Sequence, residues 1–150
     1  MSRVHLAACV MLLNSLFACT SQPEFPPELV VKVDHNITFQ ELTANPDFYI
    51  GRTVQLGGQI VASEVNGRQV SMLVRELPIR TEPVYGPVDT GKFRGMLVIR
   101  YIGQIGPQDL QHGNMIVVIG SVEGSLSSNL TGTTPRRLTV AAECVHIWRT

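Results

Sequence analysis

From residue 53 onward, apolar positions recur with the two-residue period of a half-buried strand. In Thr53 to Ala62, Val54, Leu56 and Ile60 share one side, and Gly57-Gly58 at the centre predicts a bulge or a sharp coil. Asn66-Gly67 is a two-residue hairpin signal, because both residues tolerate positive φ. Arg68 to Glu76 returns with Val70, Met72 and Val74 alternating against Gln69, Ser71, Leu73 and Arg75. Gly95 to Gly103 sets Leu97, Ile99 and Tyr101 opposite Met96, Val98, Arg100 and Ile102. Met115 to Glu123 is nearly unbroken in apolar character, which predicts burial on both faces. Leu138 to Arg149 forms a last strand, with Trp148 near its end.

The connections are equally informative. Thr38-Phe39-Gln40-Glu41 has the form of a capping box, and Asn45-Pro46 ends the helix it starts, since the residue before proline avoids the helical region. Residues 77 to 95 carry Pro78, Pro83, Pro87, Gly86, Gly91 and Gly95, and a connection of that length is usually functional or mobile. A turn with one helical winding is expected between Gly106 and Gly113, and a polar loop between Leu126 and Pro135. The pattern predicts an all-β domain: a small OB-like barrel, closed or partly open, of five to six antiparallel strands with one short helix near the N-terminus.

The first residues follow a different pattern. Arg3 and His5 precede an apolar stretch from Leu6 to Ala18 that only Asn14 and Ser15 interrupt. Its helical length is about 20 Å, well short of a hydrocarbon core of roughly 30 Å. A basic start followed by a short apolar run is the pattern of a secretory signal. Leu16-Phe17-Ala18-Cys19 resembles the lipobox of bacterial lipoproteins, although Phe17 is larger than the residue usual there. That resemblance implies cleavage before Cys19 and acylation of its thiol. The alternative is a soluble secreted protein cut by ordinary signal peptidase, for which Leu16 is the wrong residue in the register that cuts after Ala18. Thr20 stands where an Asp would favour retention in the inner membrane, so the outer membrane is expected. Thr20 to Glu28, with three prolines, is expected to be an extended tether. The chain thus divides into a signal (1–18), a lipidated cysteine with its tether (19–28) and a folded domain (29–150).

Charge and composition narrow the function. Twelve Lys and Arg balance twelve Asp and Glu, so the surplus of cations that nucleic acid binding requires is missing. With Cys9 in the signal and Cys19 carrying lipid, Cys144 is left alone in the domain and cannot form an internal disulfide. His146 stands two residues away on the same side of the strand, yet a lone Cys among Val140, Ala142 and Val145 is more often a small buried apolar residue than a nucleophile. His35, His112 and His146 are scattered, so neither a metal nor another cofactor is expected. Ser63, Ser71, Ser121 and Ser125 lack a nucleophile elbow. Glu82 and Asp89 are expected to be solvated loop acids, and the sequons at Asn36 and Asn129 to be coincidental. No catalytic residue is assigned.

Several segments together resemble the Slp family of outer-membrane lipoproteins. They are Gly51-Arg52-Thr53-Val54-Gln55-Leu56-Gly57-Gly58-Gln59-Ile60 with Asn66, then Leu77-Pro78, Gly91-Lys92-Phe93, the Pro107 to Gly113 turn, Val117-Val118-Ile119-Gly120 and Val145-His146-Ile147-Trp148. Leu56 departs from the aromatic residue the family commonly places before its glycine pair. The resemblance implies an envelope location and an OB-like barrel, with no enzymatic site to carry over.

Candidate binding residues gather on the long connection. Tyr85 and Phe93 are of a kind that stacks on a sugar or peptide, and Arg80 and Arg94 would meet an acidic group. The plainer reading has the aromatics plugging one end of the barrel and the arginines facing water. The expected function is therefore a non-enzymatic outer-membrane lipoprotein, held by its lipid and facing the periplasm, that contributes to envelope integrity or assembly. The alternative is a binding module for peptidoglycan, a polysaccharide or an envelope protein.

Overall fold

The structure, a computed structural model, describes residues 25–127, 130 and 135–150. The expected signal, Cys19, most of the tether and the Asn129 sequon lie outside those residues. The domain opens with a single helical turn, α1 (Pro27–Val30), whose first residue is a proline preset for the helical φ. The tether expected to be extended through Glu28 therefore gives way to helix at Pro27.

α2 (Phe39–Ala44) forms where the capping box predicts. Thr38 Oγ1 accepts the Glu41 backbone N–H at 3.2 Å, and Glu41 Oε2 accepts the Thr38 N–H at 2.7 Å. Those bonds to Thr38 hold the Glu41 carboxyl below its ordinary range. Asn45 ends the helix and a 3₁₀ turn follows at Pro46–Tyr49. Asp47 Oδ1 pins that turn by accepting the Ser125 N–H at 2.8 Å.

Five long strands, β1 (Thr53–Asn66), β2 (Gln69–Leu77), β5 (Met96–Ile102), β6 (Met115–Ser127) and β7 (Arg136–Trp148), are hydrogen-bonded in a closed ring of order β1-β2-β5-β7-β6. β1 closes it, pairing with β6 through Thr53–Gln59 and with β2 through Gly57–Asn66. Both partners are present at Gly58, where a Cβ would lie 2.3 Å from Val74 Cγ1 and 2.5 Å from the Arg75 carbonyl oxygen, so only glycine fits. The bulge itself falls just beyond the glycine pair, between Ile60 and Ala62.

Four pairings are antiparallel, as the sequence pattern predicts, and the fifth, β5 with β7, is parallel. Parity requires this. Strands that alternate in direction cannot close a ring of odd number, so a five-stranded ring must contain a parallel neighbour pair.

Inward side chains of all five strands build the core, including Ile60, Met72, Val74, Leu97, Ile99, Ile116 and Val118. Phe39 and Leu42 of α2 enter the ring from the end where β5 begins, and Phe39 lies against Gly95. Leu110 enters from the opposite end, with Ser63 Oγ donating to its carbonyl at 3.3 Å.

The long connection is folded. It contains a two-stranded ladder, β3 (Ile79–Arg80) with β4 (Gly86–Pro87), which lies over the outside of the ring at β1 and β6. A Cβ on Gly57 would be 2.8 Å from Ile79 Cγ1 and 3.4 Å from Pro87 Cγ. Leu77 and Val117 beside Gly57, and Ile119 farther along β6, are fully buried although they point away from the barrel core. The unbroken apolar character of β6 has its cause in this second, outer layer.

Candidate functional site

The four residues singled out on the long connection meet different fates. Arg80 is exposed and makes no ion pair among the described residues. Tyr85 is half-buried: its hydroxyl accepts a hydrogen bond from Gln55 Nε2, and its ring lies 6.3 Å from that of Trp148. Burial pushes its phenol above the ordinary value, against the Gln55 bond. Trp148 in turn packs edge-on to His146 at 4.3 Å. Tyr85 thus fastens the β3–β4 flap to β1 and β7.

Phe93 is 71% exposed. Arg94 Nε stands 2.9 Å from Glu76 Oε2, whose side chain is only 5% exposed. The N–H is not aligned on that oxygen, which has no hydrogen-bond partner, so the contact is ionic. Burial pushes the Glu76 carboxyl upward and Arg94 opposes it. No hydrogen bond, ion pair or ring contact joins the four residues to one another. Tyr85 holds the flap down and Arg94 ties the end of the long connection to β2, while Arg80 and Phe93 stay exposed.

A second ion pair secures the same segment. Arg75 Nη2 meets Asp89 Oδ2 at 2.6 Å and Gln59 Oε1 at 2.9 Å, and Asp89 also accepts the Gly91 N–H at 2.8 Å. The Arg75 bond, then the Gly91 bond, hold the Asp89 carboxyl below its ordinary range. The loop acid expected to be merely solvated is an anchor for the loop.

The other side of the ring carries no flap. There a groove of about 370 Å³ runs over β5 and β7, lined by Gln69, Arg100, Tyr101, Glu123, Ala141 and Glu143 among others. Its floor is low because β7 places Ala141 and Ala142 between larger neighbours. Ala141 pairs with Arg100 on one side and Ser121 on the other. β5 and β6 flank β7, so they stand about 10 Å apart, and Arg100 spans that gap over the alanine. Its Nη1 meets Glu123 Oε2 at 2.9 Å. This groove was not singled out from the sequence. Its signal was Arg100 itself, a cation at an outward position in the middle of an otherwise apolar strand.

Cys144 and His146 lie two residues apart on β7 without a bond between them. Burial raises the Cys144 thiol and lowers His146. A nucleophilic thiol needs the opposite shift. Among the described residues, no three His, Cys, Asp or Glu are grouped to hold a metal ion, and no helix is long and apolar enough to cross a membrane.

Comparison with curated proteins yields no match. A family model matches residues 16–150, a span that includes Leu16 to Cys19 and every strand of the ring. The chain belongs to the Slp family of outer membrane lipoproteins.

Proposed function

We propose that acyl chains on Cys19 anchor this lipoprotein, that its OB-like ring faces the periplasm, and that it serves envelope integrity or assembly without catalysing a reaction. The observation that carries this reading is the start of the family match at residue 16, which takes in the lipobox-like Leu16-Phe17-Ala18-Cys19. Each acyl CH₂ transferred into the bilayer contributes about 0.8 kcal/mol, so two or three chains hold a small domain stably where one would not. The raised Cys144 thiol supports a non-enzymatic role, as does the engagement of Arg94 and Tyr85 in structural contacts. The test is Cys19→Ser followed by fractionation. Loss of the protein from the outer membrane is expected, and unchanged fractionation would overturn the anchor.

A second reading rests on the open groove. Arg100, Glu123 and the Tyr101 ring over an alanine floor offer both charge signs and an apolar surface to an extended polymer, while Arg80 and Phe93 stand exposed on the long connection as a separate candidate contact. Small barrels of this type bind across an outer face and its flanking loops. Co-sedimentation with peptidoglycan sacculi tests it, comparing the native protein with Arg100→Ala/Glu123→Ala and Arg80→Ala/Phe93→Ala. Equal sedimentation of all three would remove the binding reading. Tyr85 and Arg94 are poor choices for this test because their loss disturbs the long connection.

A further inference from the structure

Several large apolar side chains stand exposed on the stretch that leads the chain into the ring: Val31 at 81%, Phe48 at 71%, Ile50 at 58%, with Val30 beside them. They belong to one end of the molecule. The Asp34 N–H donates to the Thr53 carbonyl at 2.9 Å, and Arg52 Nη1 meets Asp34 Oδ2 at 3.2 Å. Val31 precedes Asp34 by three residues, and Ile50 precedes Arg52 by two. Tyr49 turns inward against the core, which leaves Phe48 and Ile50 on either side of it turned outward. Phe48 keeps an edge-on contact with Tyr49 at 5.0 Å and Ile50 lies over Gly124, yet most of each side chain is left to solvent.

We infer that this apolar end docks on the lipid surface to which the chain is anchored, with Phe48 and Ile50 seated among the headgroups. The inference rests on the acylated Cys19 proposed above. Six residue steps separate Cys19 from Phe25, where the described domain begins, and a fully extended chain covers at most about 20 Å over that length. The bilayer is therefore always within reach of this end. The intervening Thr20-Ser21-Gln22-Pro23-Glu24 has little apolar surface of its own with which to cover the patch. Nearby charges show no cationic surplus, Lys32 and Arg52 against Glu28, Asp34 and Asp47, so the attraction is apolar rather than electrostatic. Val65 and Ile102, equally exposed, sit at the opposite end around the β1–β2 hairpin, where Gln69 pairs with Ile102 and Val65 with Val70. They serve as an internal control.

The test uses the mature protein extracted from membranes, in a Cys144→Ala background, with one new cysteine at Phe48→Cys, Ile50→Cys or Val65→Cys. Each carries a nitrobenzoxadiazole dye and is placed in phosphatidylethanolamine–phosphatidylglycerol vesicles. Dye at 48 and 50 is expected to brighten about twofold or more, to be quenched by spin-labelled lipid, and to be indifferent to salt, while dye at 65 stays aqueous. Intact mass of the same sample reports acylation. An acylated protein whose three sites all remain aqueous overturns the docking and leaves the anchor standing, whereas a protein without acyl chains overturns both. Brightening that grows with protein-to-lipid ratio assigns the patch to a second copy of the chain. Brightening already present in vesicle-free Cys19→Ser protein assigns it to the tether. Either result overturns the inference.

Discussion

The two outer surfaces of the ring are built from the same kind of strand and end in opposite states. On the β1–β6 side the β3–β4 flap covers Gly57, Leu77 and Val117, and β6 beneath is apolar on both faces. On the β5–β7 side no flap is present, outward positions are Arg100, Ala141 and Glu143, and a groove remains. The length of an apolar run thus reports how many layers bury a strand, and a break in the run marks the face left for solvent or a partner. The covered face is expected to govern stability, and the open face to contribute little.

Leu77→Ala should give the largest effect, because it empties a fully buried site between ring and flap. A loss of about 3 kcal/mol in denaturant unfolding is expected. Gly57→Val adds atoms where Ile79 and Pro87 already crowd, and the flap must lift or shift. About 2 kcal/mol should be lost, with faster proteolysis within residues 78–95 as the second readout.

The Glu76–Arg94 contact comes next. Burial raises the Glu76 carboxyl, so the folded protein holds that proton more tightly than the unfolded chain does. Its contribution to stability is full below the ordinary carboxylate range and is lost as pH rises through the raised folded value. Glu76→Gln should remove this slope from a series of unfolding curves taken across pH. Arg94→Ala should cost about 1 kcal/mol at neutral pH, a figure discounted because Arg94 is partly exposed, and the cost should shrink as pH falls through the same window. Arg100→Ala on the open face should change stability by less than about 1 kcal/mol, as exposed ion pairs usually do. A larger loss there would blur the distinction between the two faces.

Much of this was legible in the sequence. Alternation in Arg68 to Glu76 and the capping box at Thr38 each depend on neighbours within a few residues, and both form where expected. The hairpin forms too, but its two turn residues are Gly67-Arg68, one position on, with Asn66 paired to Gln69 in the ladder and only Gly67 at positive φ. Local pattern could not reveal that residues 78–95 fold back as a flap, because the outcome depends on Gly57 leaving room for Ile79 from across the sheet. The parallel β5–β7 pair was implied by a count of five strands in a closed ring, not by any residue. Candidate site residues were harder to read. Tyr85 and Arg94 share a loop with Arg80 and Phe93, but long-range partners, Gln55 with Trp148 and the buried Glu76, turn the first two into fasteners. The groove escaped notice because its depth comes from Ala141 and Ala142, small residues that carry no chemical signal of their own.

The most direct measurement of the account is the intact mass of the protein extracted from outer membranes. The account predicts a chain that begins at Cys19 and carries the added mass of two or three acyl chains. A chain of unmodified mass, or one beginning at another residue, would contradict it.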